Sequence, residues 1–124
     1  MQGRILVVDD EPFILRSLSF VLRKQGFDVI EARDGVEAMV RIRNDRPSLV
    51  FLDVMMPRKN GYEVCGEVKG DPGLADTHII MLTAKGQESD RDMGLSIGAD
   101  EYMTKPFSPS KITERVREIL VAGV

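Results

Sequence analysis

Three stretches of this sequence are apolar without a break: residues 5–8 (ILVV), 49–52 (LVFL) and 79–82 (IIML). A strand of this kind has no polar face to offer to water. It must be covered on both sides, as strands are inside a parallel sheet with helices packed above and below. Residues 27–30 are a fourth, less uniform candidate strand, and residues 101–104 a fifth and weaker one.

Helical patterns lie between these runs. Pro12 suits the first turn of a helix, where its missing N–H costs nothing. After it, Ile14, Leu15, Leu18, Val21 and Leu22 form a broad apolar stripe at helical spacing. Asp34 and Glu37 have capping-box spacing, which predicts a helix running to about Arg43. Asn60 and Glu63 repeat that spacing ahead of Val64 and Val68. Ser108 and Pro109 mark another start, and Ile112, Val116, Ile119 and Leu120 make the cleanest amphipathic stripe. Residues 86–98 are a weaker helical pattern, with Met93 and Ile97 four apart and Gly94 between them.

The order is strand then helix, five times over. This predicts an α/β fold: a five-stranded parallel sheet, doubly wound, with helices on both faces. A chain of 124 residues is long enough to bury one core without disulfides or a structural metal. The composition, 43% apolar and 30% charged, is that of an ordinary globular domain. A net charge of −3 argues against a nucleic-acid surface, which needs a basic patch to neutralise phosphates. No apolar run is long enough for a signal peptide or a membrane span, so a cytoplasmic location and no membrane contact are expected. The single cysteine, Cys65, cannot form an internal disulfide.

In an open parallel sheet the binding crevice lies at the carboxyl ends of the strands. Asp9 and Asp10 stand at the end of the first strand, Asp53 at the end of the third, Thr83 at the end of the fourth, and Lys105 after the fifth. Taken singly, each has an ordinary reading. An acid at a strand end is usually a turn or capping residue, and most lysines are solvated. Taken together, three carboxylates on one edge repel one another unless a cation neutralises them. Oxygen ligands alone point to a hard ion such as Mg2+. Zinc is disfavoured, because His78 and Cys65 read as ordinary strand-edge and helix residues. A carboxylate can also act as a nucleophile towards phosphorus, giving an acyl phosphate. Phosphoryl transfer depends mostly on in-line placement and charge neutralisation. In such a site Asp53 would be the acceptor, with Lys105 and Thr83 contacting other phosphoryl oxygens.

The segments ILVVDDEP, LVFLDVMMPRKNGYEV, IIMLTAK and GADEYMTKPF occur in order at four strand ends. Over about residues 4–121 the chain resembles the response-regulator receiver family, which includes the bacterial chemotaxis regulator. The resemblance implies a flavodoxin-like fold and one receiver domain over residues 1–124, either a whole protein or the N-terminal domain of a longer response regulator. It implies phosphorylation at Asp53 and magnesium held by Asp9, Asp10, Asp53 and the backbone carbonyl of Met55. Thr83 and Lys105 match the hydroxyl and the lysine that read the phosphoryl group. Tyr102 matches the switch aromatic, and Pro106 a proline whose preceding bond is usually cis. Met55 and Lys85 fall at variable positions that tune the phosphoryl lifetime.

The implied partner is a sensor histidine kinase or a histidine phosphotransfer protein. The domain would catalyse only its own phosphorylation and hydrolysis. Its output would be conformational: Thr83 moves to the phosphoryl group, Tyr102 turns inward, and the face of residues 86–98, the fifth strand and residues 108–121 changes for an effector or a phosphorylation-dependent dimer. Direct nucleic-acid contact by this domain is not expected. Three alternatives are weaker. A hydrolase of the aspartyl-phosphate type needs an acid where Met55 stands. A flavin protein needs a phosphate-cradling loop, usually rich in Ser, Thr and Gly, where the chain has Asp9-Asp10-Glu11. A magnesium-binding pseudo-receiver without phosphoryl chemistry would keep the parts of the site and none of its reaction.

Overall fold

The computed structural model describes residues 3–84 and 97–122. Its strands are β1 (Arg4–Val8), β2 (Asp28–Ala32), β3 (Leu49–Asp53), β4 (His78–Ala84) and β5 (Glu101–Lys105). They pair in parallel in one sheet of order β2-β1-β3-β4-β5. The described α-helices are α1 (Pro12–Lys24), α2 (Gly35–Asp45), α3 (Gly61–Gly70) and α4 (Pro109–Arg117), the last passing into a π-helical turn, Glu118–Ala122. The helix expected over residues 86–98 lies almost wholly outside the described residues. Among the described residues no helix is long and apolar enough to cross a membrane.

The continuous apolar runs behave as parallel strands should. Every residue of β3 is buried, and neighbouring residues point to opposite faces. On one face Ile5, Val7, Leu49, Phe51, Ile80 and Leu82 meet Leu15, Leu18 and Leu22 of α1 and Ile112 and Val116 of α4. On the other, Leu6, Val8, Val50, Leu52, Ile79 and Met81 meet Ala38, Met39 and Ile42 of α2 and Val64, Cys65 and Val68 of α3. The buried stripe of α1 is narrower than its sequence suggests: Ser19 is buried with the leucines, while Ile14 and Val21 are only half-buried.

Two helix starts follow from their capping residues. The Asp34 carboxylate accepts the Glu37 N–H at 2.8 Å. Asn60 and Glu63 form a complete capping box, with bonds of 2.9 and 3.0 Å. Ser108 does stand at the start of α4, but its hydroxyl pairs with that of Ser110 at 2.9 Å and does not cap the helix.

The sheet order reverses direction between β1 and β3. At such a switch point the loops leave a crevice at the carboxyl ends of the strands.

Candidate functional site

The crevice is lined by the residues that follow the apolar runs. Asp9 comes directly after β1, and its N–H bonds the Ala32 carbonyl at 3.2 Å, which anchors it to the end of β2. Asp53 is the last residue of β3 and lies opposite Leu82. Thr83 therefore stands one step further along β4, opposite Thr104 of β5. Lys105 is the last residue of β5 rather than the first after it, because its backbone still pairs with Ala84. The strand ladder thus sets four of the side chains at one edge.

Burial separates this edge from an ordinary polar rim. The buried polar or charged residues among those described are Asp9, Ser19, Asp53, Thr77 and Thr83, and three of these five belong to the crevice. Asp9 is 0% exposed. One of its oxygens accepts the Glu11 N–H at 2.9 Å, and the other accepts the Lys105 ammonium at 2.7 Å. The same ammonium reaches Asp53 at 3.2 Å. Glu11 stands further off, at 3.9 Å. One oxygen from each of Asp9, Asp10 and Asp53 lies within 4.8 Å of the other two. Asp10 is exposed and leaves the cluster open to water on its outer side.

Two of these three carboxylates, Asp9 and Asp53, thus share one lysine. The consequence shows in the acidity of Asp53, whose pKa is pushed up to about 7. Burial is the largest cause and the charge of Asp9 the next; the nearby ammonium only partly offsets them. The Lys105 pKa moves upward too. Burial acts to lower it but is outweighed by the bond to Asp9 and the charges of both acids. The donor set fits a hard divalent cation: it is all oxygen, it carries excess negative charge, and its open side admits water. Oxygens bound to one magnesium ion lie about 3 to 4 Å apart, and the three here lie within 4.8 Å of one another.

The other residues singled out in the sequence fall as follows. Met55 lies two residues past Asp53 with its side chain 72% exposed. Tyr102 on β5 is half-buried and packs against the core beneath α2 and α3. The Lys105–Pro106 bond is cis, as the resemblance implies. Lys85 lies outside the described residues. His78 begins β4, with its Nε2 2.6 Å from Glu101 and remote from the crevice. Cys65 is buried in α3, and burial pushes its thiol up to about 11, which leaves it inert as a nucleophile.

Two glycines at the site were not marked by the motif reading. Gly61 lies against β3 so closely that a Cβ there would stand 2.4 Å from the Asp53 carbonyl oxygen. Gly35 has a comparable contact with the loop after β3. The usable signal was a glycine at the first position of a capped helix, where most residue types would do.

The chain is similar to known proteins over most of its length. The family model of the response regulator receiver domain matches residues 5–117. The alkaline phosphatase synthesis transcriptional regulatory protein PhoP of Bacillus subtilis is 47% identical over 97% of this chain and 49% of its own length. The DNA-binding response regulator MtrA of Mycolicibacterium smegmatis is 46% identical over 94% of this chain and 50% of its own. The chain therefore spans about half the length of these relatives. The crystal structure of the receiver domain of a signal transduction histidine kinase from Syntrophus aciditrophicus superposes with a TM-score of 0.89 at 34% identity, covering 98% of this chain and 92% of that one. The chemotaxis protein CheY4 of Vibrio cholerae does so with a TM-score of 0.88 at 29% identity, covering 97% and 100%. The chain belongs to the response regulator receiver domain family, the phosphorylation-dependent switch module of two-component signalling.

Proposed function

We propose that Asp53 accepts a phosphoryl group from a phosphohistidine of a sensor histidine kinase or phosphotransfer protein. In the transfer a carboxylate oxygen of Asp53 forms a bond to phosphorus as the phosphorus–nitrogen bond breaks, and the electron pair stays on the imidazole. Asp53 becomes an acyl phosphate, and later attack by water returns the carboxylate and inorganic phosphate. The observation that carries this reading is the Lys105 ammonium held between Asp9 and Asp53, at 2.7 and 3.2 Å. It is a cation already aimed at the acceptor oxygen, where equatorial phosphoryl charge would develop.

Asp9, Asp10 and Asp53 are the side chains that would hold magnesium, with the Met55 carbonyl as a further donor. Bound magnesium supplies positive charge that neutralises the acids and the incoming phosphoryl oxygens. The chain's own residues do the rest. Burial keeps Asp53 and Thr83 away from bulk water. The Asp9 bond to the Glu11 N–H fixes the direction of one carboxylate, and Thr83 offers a hydroxyl to a phosphoryl oxygen. Movement of Thr83 towards that oxygen, with Tyr102 following, would pass the signal to β5 and α4. The names of PhoP and MtrA support a transcriptional output, which we assign to a DNA-binding partner or segment and not to this acidic domain.

The test is incubation with acetyl phosphate, with and without magnesium, followed by mass spectrometry of the wild type and of Asp53→Asn. A magnesium-dependent gain of one phosphoryl group, absent in the variant, is expected. No gain in the wild type would reduce the domain to a binding module.

A further inference from the structure

The loop between β3 and α3, residues 54–60, borders the acceptor. Its two ends are pinned. The Val54 N–H donates to the Leu82 carbonyl at 3.0 Å, and the Gly61 N–H donates to the Val54 carbonyl at 2.9 Å. Between these points the chain reverses at Arg58, which has a φ of 69°. The Lys59 N–H folds back onto the Pro57 carbonyl at 2.8 Å. The Lys59 carbonyl then comes down on Gly35, the first residue of α2. A Cβ at Gly35 would stand 2.0 Å from that oxygen and 2.7 Å from its carbon. The third neighbour is the Lys59 Cβ, also at 2.7 Å and fixed to the backbone, so no flexible side-chain end can swing aside.

An alanine at position 35 therefore forces either α2 or the loop to move. α2 is the stiffer of the two. Its start is held by the Asp34 carboxylate on the Glu37 N–H and by the Glu37 carboxylate on the Arg33 N–H, both at 2.8 Å. Its inner face carries Ala38, Met39 and Ile42, which are packed in the core. The loop is held more lightly: Met55, Pro57 and Arg58 are exposed, Met56 packs at the margin of the core, and Lys59 pairs with Glu67 of α3. The displacement would fall on residues 55–59, beginning two residues from Asp53.

We propose that Gly35 is a positioning residue for the acceptor loop. It belongs to a different strand–helix unit from the acceptor. Its missing side chain seats the Lys59 carbonyl, and so sets where residues 55–58 lie beside Asp53. This rests on the reading of Asp53 as the phosphoryl acceptor.

The test compares Gly35→Ala with Gly70→Ala, a helical glycine whose added Cβ would meet nothing within 4 Å. Amide resonances are recorded without magnesium, magnesium is then titrated, and the rate of phosphorylation by acetyl phosphate is measured. In Gly35→Ala the magnesium-free resonances of residues 55–59 shift and more magnesium is needed for half-saturation. Phosphorylation slows by roughly tenfold or more, since ångström-scale misplacement of reacting groups costs on the order of 10²-fold. Gly70→Ala matches the wild type in all three. A folded Gly35→Ala with wild-type resonances at 55–59 and wild-type magnesium affinity overturns the proposal. Should that variant not fold, the wild type decides: the Gly35 and Val36 amides respond to magnesium together with those of residues 55–59, and a silent Gly35 overturns the idea. If the wild type takes neither magnesium nor phosphoryl group, it is the acceptor reading that fails, and the magnesium-free resonances still show whether Gly35 seats the loop.

Discussion

At the scale of single residues, Lys105 carries the charge balance of the crevice. Its ammonium serves Asp9 at 2.7 Å and Asp53 at 3.2 Å, and both acids are buried. Removing one member of a buried ion pair leaves the other charge uncompensated, at a cost of about 3 kcal/mol. Lys105→Met keeps most of the side-chain length and deletes the charge. We expect it to lose about that much stability in urea unfolding at pH 8 with EDTA, following the same estimate. We also expect magnesium to raise its unfolding midpoint more than that of the wild type, because the ion would then be the only cation in the cluster. Unchanged stability in EDTA would mean that the acids shed their charge by holding protons and do not depend on the lysine. The acids and Thr83 were legible in the sequence because each is a polar residue at the end of an apolar strand, where a parallel sheet must gather them, and Lys105 because it follows the weaker fifth strand at the same edge. Gly35 was not. What matters there is an absent side chain opposite a carbonyl from another part of the chain, and no spacing along the sequence records such an approach.

At the scale of elements, the helix starts were the most readable features because their cause is local. Asn60 and Glu63 satisfy each other's backbone N–H groups through their own side chains, and four residues of sequence suffice to announce it. Asn60→Ala removes the acceptor for the Glu63 N–H. It should cost about 1 kcal/mol in chemical unfolding, with Asn60→Ser recovering most of the loss; an unchanged midpoint would show that solvent caps α3 equally well. Strand limits were harder to read because ladder bonds extend past the apolar core. β4 runs from His78 to Ala84 where the apolar run covers only residues 79–82. β5 was the weakest strand in the sequence for a structural reason. It lies at the sheet edge with its residues half-buried or exposed, so selection for apolar residues is relaxed and its identity depends on pairing with β4.

At the scale of the whole molecule, the two ends of the sheet do opposite things. The carboxyl end gathers like charges around Asp53 and is costly to fold without a cation. The amino end of β5 holds acids that are well matched. Asp100 accepts the Lys69 ammonium and the Ile79 N–H, each at 2.8 Å, and Lys69 also bonds the Ala75 and Thr77 carbonyls. Glu101 accepts Arg115 through two bonds of 2.5 and 2.6 Å, with His78 at 2.6 Å. These contacts tie β5 to α3, β4 and α4, across both faces of the sheet. Burial alone would raise both pKa values, but the hydrogen bonds, from Lys69 and the Ile79 N–H to Asp100 and from Arg115 and His78 to Glu101, outweigh it, so both acids are held below their ordinary values. A carboxylate with a lowered folded pKa binds fewer protons folded than unfolded. Its stabilisation is complete above the unfolded values, about 3.9 for Asp and 4.3 for Glu, and is lost as pH falls through the lower folded ones. The amino end should therefore fail in acid. We expect Asp100→Asn and Glu101→Gln to be less stable than the wild type at pH 6. The difference should shrink as pH falls below about 4, where the wild-type acids take up protons as well. Urea unfolding of the three proteins between pH 6 and pH 3 checks this. A difference independent of pH would mean that the substitutions act through lost packing, and that the charges at this end contribute nothing to holding β5 in the sheet.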